Sequence, residues 1–246
     1  MATIVLVPGA WIGGWSWQRV APLLRAQGHD VYPVTLTGLG ERVHLGTSET
    51  NLETHITDVV NLIEFEDLCD VVLAGHSYAG SVLPGVADRI AERLALVVYV
   101  DSAPSEDGES QLDFQPPAGR EELRRQVADM GDGWRLPPLP FEQLPDSPFT
   151  ASLSVADRTL LAARAVPQPF GTYTQPLRLT NTGGGDYRRA IIACNSFREL
   201  VATGMPRFQQ FSAAPWERRD IATGHWPMLS APRELAAALD ALARGR

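Results

Sequence analysis

The most constraining feature of this sequence is a short tract in which an apolar run ends at a serine flanked by small residues. The run Asp70–Ala74 leads into Gly-His-Ser-Tyr-Ala-Gly at residues 75–80, and a helical pattern follows directly. Small residues two positions before and two after a serine permit a cramped turn that projects the hydroxyl above a sheet. The tract therefore predicts a strand, a tight turn at Ser77 and a helix, and makes Ser77 a candidate nucleophile.

Short apolar, β-branched runs recur along the chain with helical stretches between them. Runs of four to six such residues, bounded by Gly, Pro or polar residues, are typical of strands buried on both faces. Five runs are predicted as strands: Ile4–Val7, Val31–Thr35, Asp70–Ala74, Ala95–Val100 and Arg189–Cys194. Helical spacing marks Val20–Ala26, Asn51–Glu64, Ser81–Arg93 and Pro232–Ala243. The alternation predicts an α/β fold with a mostly parallel sheet flanked by helices.

The alternation stops after Ala103 and resumes near Arg188. Residues 104–187 are rich in proline and have only short helical patterns, Gly119–Met130 and Ser154–Ala165. An insertion of about 80 residues is too long for an ordinary loop. Its aromatic residues need a surface to cover, which favours a lid over a floppy linker: Trp134, Phe141, Phe149, Phe170 and Tyr173. We predict one domain, with a core of residues 1–103 and 188–246, a lid of residues 104–187, and a flexible hinge at Gly183–Gly185.

Composition excludes several kinds of chemistry. All 21 basic residues are arginine, and without lysine there is neither a Schiff-base residue nor a Walker A phosphate loop. The net charge of −8 does not indicate nucleic acid or an anionic membrane as a partner. Cys69 and Cys194 lie outside any zinc-ligand spacing, so no metal site is predicted. The N-terminal apolar run is far shorter than the ~20 residues of a membrane span. We expect a cytoplasmic protein, with a homodimer left open.

A serine hydroxyl needs a base within hydrogen-bonding distance to act as a nucleophile near neutral pH. The strand, the Gly-x-Ser-x-small-Gly turn and the helix match the nucleophile elbow of α/β hydrolases, whose triads follow the order serine, acid, histidine. His225 follows a short strand-like piece and directly precedes the last helix, so it is the predicted base. The turn is expected to point His76 away from the serine, as a packing residue.

Further motifs resemble plant methyl esterases, hydroxynitrile lyases and their bacterial esterase relatives. They are VLVPGAWIGGWSW at 5–17, TLTGLGER at 35–42, YVD at 99–101 and HWPMLS at 225–230. The resemblance covers about residues 3–108 and 188–246 and implies the α/β-hydrolase fold with cofactor-free ester hydrolysis. It implies an oxyanion hole formed by the backbone N–H groups of Ala10 and Tyr78. Motif position and lid composition together give four candidate pocket residues: Trp11, Tyr78, Trp134 and Trp226.

The acid of the triad has two candidate positions, both at the carboxyl edge of the predicted sheet. Plant relatives carry it in the loop after the strand that matches Arg189–Cys194, where this chain reads Asn-Ser-Phe-Arg-Glu at residues 195–199, without aspartate. Asp101 instead ends the strand that follows the nucleophile helix, the other place where α/β hydrolases carry the acid. We predict Asp101, with Glu199 and Asn195 as the alternatives.

Together these residues predict a serine carboxylesterase that cleaves a small to medium, largely apolar ester or lactone through an acyl-enzyme. One alternative is a non-hydrolytic enzyme on the same scaffold, acting by acyl transfer, cyclisation or lyase chemistry. Hydroxynitrile lyases of the resembled family use a threonine and a lysine where this chain has Gly9 and Trp226, which disfavours cyanohydrin cleavage. The other alternative is a catalytically retired binding protein, suggested by Pro8, where most relatives have histidine.

Overall fold

The computed structural model of the chain describes residues 1–181 and 185–245. Gly183 and Gly184 of the predicted hinge therefore lie outside the described residues. The strands are β1 (Thr3–Val7), β2 (Asp30–Pro33), β3 (Val71–His76), β4 (Leu94–Val100), β5 (Arg135–Leu136), β6 (Gln168–Pro169), β7 (Arg188–Ala193) and β8 (Trp216–Asp220).

The α-helices are α1 (Ala21–Ala26), α2 (Leu52–Phe65), α3 (Ala79–Arg89), α4 (Pro117–Met130), α5 (Val155–Arg164), α6 (Gly171–Thr174), α7 (Asn195–Ala202), α8 (Pro206–Gln209), α9 (Pro227–Ser230) and α10 (Pro232–Arg244). Short 3₁₀ helices are Gly14–Trp17, Gly40–Leu45, Ala91–Arg93, Gln111–Phe114, Phe141–Gln143 and Gln210–Ser212. No helix within residues 1–181 and 185–245 is both long enough and apolar enough to cross a membrane.

Six strands form one parallel sheet in the order β2-β1-β3-β4-β7-β8. From β1 the chain adds β2 on one side, then crosses back to add β3, β4, β7 and β8 on the other. The carboxyl ends of β1 and β3 therefore adjoin the point where the strand order reverses, which is where open parallel sheets bind ligands. This architecture confirms the predicted α/β-hydrolase fold with a mostly parallel sheet flanked by helices.

The sheet is buried on both faces, which explains why its strands read as continuous apolar runs. Successive residues of a strand point to opposite faces. Val5 and Val7 belong to the apolar layer that contains α2 and α3. Ile4 and Leu6 belong to the layer that contains α1 and α10. The central strands are thereby fixed in register, and so are the residues that follow their carboxyl ends.

The five predicted strands are found with shifts of one or two residues at their ends. The sixth, β8, lies at an edge of the sheet and reads Trp-Glu-Arg-Arg-Asp, so its sequence indicates only a short strand-like piece. A strand at the edge is partly in water, and charged side chains there also hinder edge-to-edge aggregation.

Residues 104–187, the inserted segment, lie between β4 and β7. In their described part they hold α4, α5, α6 and a two-stranded antiparallel pair of β5 and β6. Backbone hydrogen bonds join the segment to the core, and two of them lie far apart along the segment. The N–H of Val166 donates to the carbonyl of Trp11 (2.9 Å), and the N–H of His225 donates to the carbonyl of Phe149 (2.8 Å). Both contacts lie at loops that follow strands of the sheet.

Candidate active site

Ser77 lies in a strained turn between β3 and α3. Its φ of 52° is in the left-handed region, which a residue with a side chain adopts at a cost of about 1–2 kcal/mol. A Cβ on Gly75 would lie 2.7 Å from Cβ of Ala79, and one on Gly80 would overlap the carbonyl of Ala103. The turn is held by the Ser102 hydroxyl, which donates to the Ser77 carbonyl at 2.5 Å. Small neighbours are therefore a steric requirement of this turn, as the sequence predicts.

The side chain of Ser77 is joined to His225 and Asp101 in one chain of hydrogen bonds. His225 follows β8 and immediately precedes Trp226 and α9. With its Nδ1 protonated, the imidazole donates to Oδ2 of Asp101 at 2.6 Å. Its Nε2 then accepts from Oγ of Ser77 at 2.8 Å. This arrangement can transfer the serine proton to the imidazole and stabilise the resulting imidazolium.

Asp101, the residue after β4, is buried with a side chain 1% exposed, yet it remains ionised. Burial alone would raise its pKa, but hydrogen bonds from His225, Ser196 and the backbone outweigh burial and hold the pKa below its usual value. The Ser196 hydroxyl donates to Oδ2, and the N–H groups of Cys194 (2.9 Å) and Phe197 (3.2 Å) donate to Oδ1. A buried carboxylate with this many donors is a fixed negative charge beside the imidazole.

The imidazole of His225 also contacts the inserted segment. The ring of Phe149 stacks on it with centroids 4.6 Å apart and planes 20° from parallel. Beside this stack, the N–H of Gly224 donates to the carbonyl of Ala151 at 2.9 Å. A Cβ on Gly224 would lie 2.7 Å from atoms of Phe149 and Ala151, so the two chain segments are in close contact. The inserted segment thereby fixes both the backbone and one ring face of His225.

His76 lies against the loop that carries His225. It is buried, its ring lies 4.7 Å from that of His225, and its Nε2 donates to the His225 carbonyl at 2.6 Å. Burial, and then the neighbouring His225, lower the pKa of His76 to about 3. His76 is therefore uncharged at neutral pH and holds the loop that carries His225.

The predicted oxyanion-hole residues lie on the two elements that flank Ser77. Ala10 follows β1, whose Val7 pairs with Gly75, and a Cβ on Gly9 would lie 3.2 Å from Cβ of Ser77. Tyr78 stands at the N-terminus of α3, where the helix dipole favours a negative charge. Among the hydrogen bonds of the described residues, none uses the N–H of Ala10 or of Tyr78.

The candidate pocket residues are not all beside Ser77. Trp11 is half-buried, has a φ of 64° and lies against Tyr173. Trp134 is half-buried in the inserted segment, with the guanidinium of Arg135 5.0 Å above its ring. Trp226 is 3% exposed and packs between Phe141 and Phe149. Trp226 therefore supports the ring that covers His225 and presents little surface of its own.

The alternative acids are not joined to the imidazole. Glu199 is exposed on α7, and Asn195 uses its backbone N–H on the carbonyl of Thr223 at 2.9 Å. The first turn of α7 supplies Ser196 as a hydrogen-bond donor to Asp101, a contact that the sequence did not predict. The stacking of Phe149 on His225 could not be predicted either, because aromatic composition indicates burial without indicating the partner. A serine three residues after the end of a buried strand was the available signal for Ser196.

Comparisons with known proteins show which family the chain resembles. The sequence profile described as "Alpha/beta hydrolase family" matches residues 4–238. The chain is 38% identical over 246 residues to the carbendazim hydrolyzing esterase of Nocardioides sp. (strain SG-4G), covering 98% of this chain and 100% of that protein. It is 28% identical to methylesterase 3 of Arabidopsis thaliana, covering 96% and 94%. The solved structure of an extracellular α/β-hydrolase from a Paenibacillus species superposes with a TM-score of 0.82 at 22% identity, covering both chains completely.

Proposed function

The chain belongs to the α/β hydrolase family and is an ester-cleaving serine hydrolase, and we propose that Ser77, His225 and Asp101 carry out this reaction. The single observation that supports the assignment is the continuous hydrogen-bond chain from Ser77 Oγ through the imidazole to Asp101 Oδ2. Ser77 is the nucleophile, His225 the general base and acid, and Asp101 the residue that orients the imidazole and compensates its charge.

The proposed reaction proceeds in two halves. Oγ of Ser77 attacks the ester carbonyl while its proton moves to Nε2 of His225, giving a tetrahedral oxyanion. The oxyanion collapses, the C–O bond to the alcohol breaks, and the alcohol leaves with the proton from Nε2. A water molecule then adds to the acyl-enzyme by the same proton path, which releases the acid and restores Ser77.

The N–H groups of Ala10 and Tyr78 are proposed as the oxyanion hole. They belong to two elements on either side of Ser77 and are free of other hydrogen bonds among the described residues. Donors directed at the developing oxyanion are worth several kcal/mol, and the loss of one typically costs ~2.7–4 kcal/mol. The position of Tyr78 at the start of α3 adds the favourable field of the helix dipole.

The inserted segment is proposed as the lid that shapes the acyl and alcohol sites. Its contacts with Trp11 and His225 support this proposal, and they include two aromatic rings, Phe149 against His225 and Tyr173 against Trp11. A small to medium, largely apolar ester or lactone fits these surroundings. The name of the Nocardioides relative makes carbendazim a further compound to examine.

A fluorophosphonate probe tests the proposal. The wild-type protein should be labelled at Ser77, and the Ser77→Ala variant should stay unlabelled while remaining folded. A catalytically retired binding protein would give no label on either. Product analysis in the presence of competing alcohols then separates hydrolysis from acyl transfer, because a transferase would form the new ester in preference to the acid.

Substrate range is tested with 4-nitrophenyl esters from acetyl to hexanoyl and benzoyl, methyl esters and carbendazim. If an apolar lid contacts the acyl group, longer acyl chains should raise kcat/KM, about tenfold for each ~1.4 kcal/mol of added transition-state binding. An equal kcat/KM across the acyl series would contradict the proposed apolar site while leaving the assignment of Ser77 intact.

A further inference from the structure

Two polar side chains of the inserted segment are completely buried behind the site. Gln168 lies in β6 and Thr172 in α6, and both are 0% exposed. Nε2 of Gln168 donates to Oγ1 of Thr172 at 2.8 Å, and Oγ1 of Thr172 donates to the Pro169 carbonyl at 2.6 Å. Buried polar groups of this kind are costly unless all their hydrogen bonds are made, so the pair holds a defined geometry.

The other end of the Gln168 amide reaches the loop of Ala10. Oε1 of Gln168 accepts from the N–H of Trp11 at 3.0 Å. The carbonyl of Trp11 accepts from the N–H of Val166 at 2.9 Å, so both peptide groups of Trp11 are held by the inserted segment. Because Trp11 has a left-handed φ of 64°, these bonds fix an unusual backbone conformation directly after Ala10.

The helix α6, which carries Thr172, in turn reaches the side chain of Tyr78 through the next residue, Tyr173. The Tyr78 hydroxyl lies 3.0 Å from Nδ1 of His55. Nε2 of His55 lies 2.8 Å from the Thr37 carbonyl and donates to it, so Nδ1 is left as the acceptor for the Tyr78 hydroxyl. The ring of Tyr78 stacks on Tyr173 with centroids 5.7 Å apart and planes 1° from parallel. The side chain of Tyr78 is therefore fixed at its hydroxyl and on one ring face.

We infer that Gln168 is a positioning residue that sets the distance between the two oxyanion-hole donors. The donors belong to different elements, the loop after β1 and the start of α3. A buried path runs from Trp11 through Gln168 to Thr172, and from the neighbouring Tyr173 to the ring of Tyr78. It ties these elements together through the inserted segment. Since an oxyanion donor works only within about 2.7–3.1 Å of the oxygen, a small change in this spacing weakens both bonds. The inference rests on the proposed function, and it makes the inserted segment part of the catalytic geometry as well as a cover.

The test compares variants of two glutamines whose side chains both accept a backbone N–H of the core, one near the proposed oxyanion hole and one on the surface. Gln168→Met removes both hydrogen bonds of the amide at similar volume. Gln175→Met is the control, because Oε1 of Gln175 likewise accepts a backbone N–H of the core, that of Glu53 at 2.8 Å, on the surface of the protein. We measure kcat and KM on a 4-nitrophenyl ester and the affinity for a trifluoromethyl ketone, which forms an oxyanion with the active serine.

Gln168→Met should lower kcat by at least about tenfold, but by less than the 10²–10³ that is lost when a whole oxyanion donor is removed. The affinity for the trifluoromethyl ketone should fall by a similar factor. The KM of this variant should change by less than about threefold. The pH dependence of kcat/KM should not shift, because the hydrogen bonds of Gln168 in the described part of the chain go to Trp11 and Thr172 and not to His225. Gln175→Met should leave kcat, KM and the affinity for the ketone within about twofold of the wild-type values. Equal losses in both variants, or a loss confined to KM, would overturn the positioning role.

Thr172→Val provides a second test of the inference if Gln168→Met does not fold. It removes one hydroxyl and breaks the path between Gln168 and Tyr78 while Trp11 keeps its bond, so we expect a smaller loss in kcat and ketone affinity with the same KM. Unchanged kcat and ketone affinity in a folded Thr172→Val protein would overturn the inference. Failure of the proposed function is distinguishable, because it would appear as an unlabelled, inactive wild-type protein.

Discussion

The ring of Phe149 stacks on the imidazole of His225, and the carbonyl of Phe149 accepts a hydrogen bond from the backbone N–H of His225. The first contact shields one face of the ring from water, and the second fixes the main chain that carries it. The orientation of His225 therefore depends on the inserted segment as well as on Asp101.

Replacing Phe149 by leucine should keep the backbone bond and remove the stacking. We expect kcat/KM to fall by about tenfold, which corresponds to about 1.4 kcal/mol in the activation barrier. The reason is that an imidazole without the stacked ring spends less time aligned with Ser77. The control is Phe65→Leu, because Phe65 is 86% exposed. Steady-state kinetics of both variants decide the question, and equal activities would show that the stack is dispensable.

Asp101→Asn and Glu199→Gln distinguish the two candidate acids. Asparagine at position 101 leaves the imidazole in the wrong tautomer and removes the compensating charge. In a serine protease that exchange costs about 10⁴ in kcat, and we expect a loss of at least ~10² here. Glu199 is exposed, so Glu199→Gln should change kcat by less than about threefold. The opposite ranking in kinetic assays would place the acid after β7.

The strained turn makes a prediction about stability. Ser77→Ala and Ser77→Gly should both abolish turnover and fluorophosphonate labelling. Only glycine relieves the left-handed φ of 52°, so the glycine variant should be more stable than the alanine variant by about 1 kcal/mol. Urea unfolding measures the difference. Equal midpoints for the two variants would indicate that the turn carries no strain.

Two buried histidines make the stability depend on pH. Burial lowers the pKa of His55 to about 4 and that of His76 to about 3, from an ordinary value of about 6.5. Below pH ~6.5 and down to these lowered values, the unfolded chain binds protons that the folded chain does not, so the free energy of unfolding falls as the pH falls. Two such sites give a slope of up to about 2.7 kcal/mol per pH unit.

Urea denaturation between about pH 7 and pH 4.5 measures this slope. His55→Gln removes one of the two titrating groups and should reduce the slope by about half. Asp101 does not interfere, because its lowered pKa places its titration below this range. A free energy of unfolding that stays constant from pH 7 to pH 5 would contradict the prediction.

The parts of the site that the sequence predicts are those fixed by local constraints. The turn at Ser77 needs small residues two positions away on each side, and these requirements are visible within six residues. The strands could be predicted because burial on both faces leaves continuous apolar runs. The exception, β8, is at the edge of the sheet and carries charges, so its pattern is weak.

The remaining parts depend on contacts between distant segments. Asp101 and His225 are 124 residues apart, and the choice between Asp101 and Glu199 required knowing which of them faces the imidazole. Gln168 and Trp11 are 157 residues apart, and neither lies in a periodic pattern that would indicate the bond. The path of an irregular segment over a core is set by such side-chain contacts, and no short motif encodes them.

The binding of residues 149–151 to the loop of His225 limits how the inserted segment can move. If the segment swung away as a unit, the hydrogen bonds donated by the N–H groups of Gly224 and His225 would break. We expect the triad to lose its alignment in such an open state. We therefore expect access to Ser77 to come from fast, small-amplitude displacements of side chains around fixed anchors, and not from a slow domain opening on the microsecond-to-millisecond scale. Turnover is then expected to proceed without a large conformational exchange.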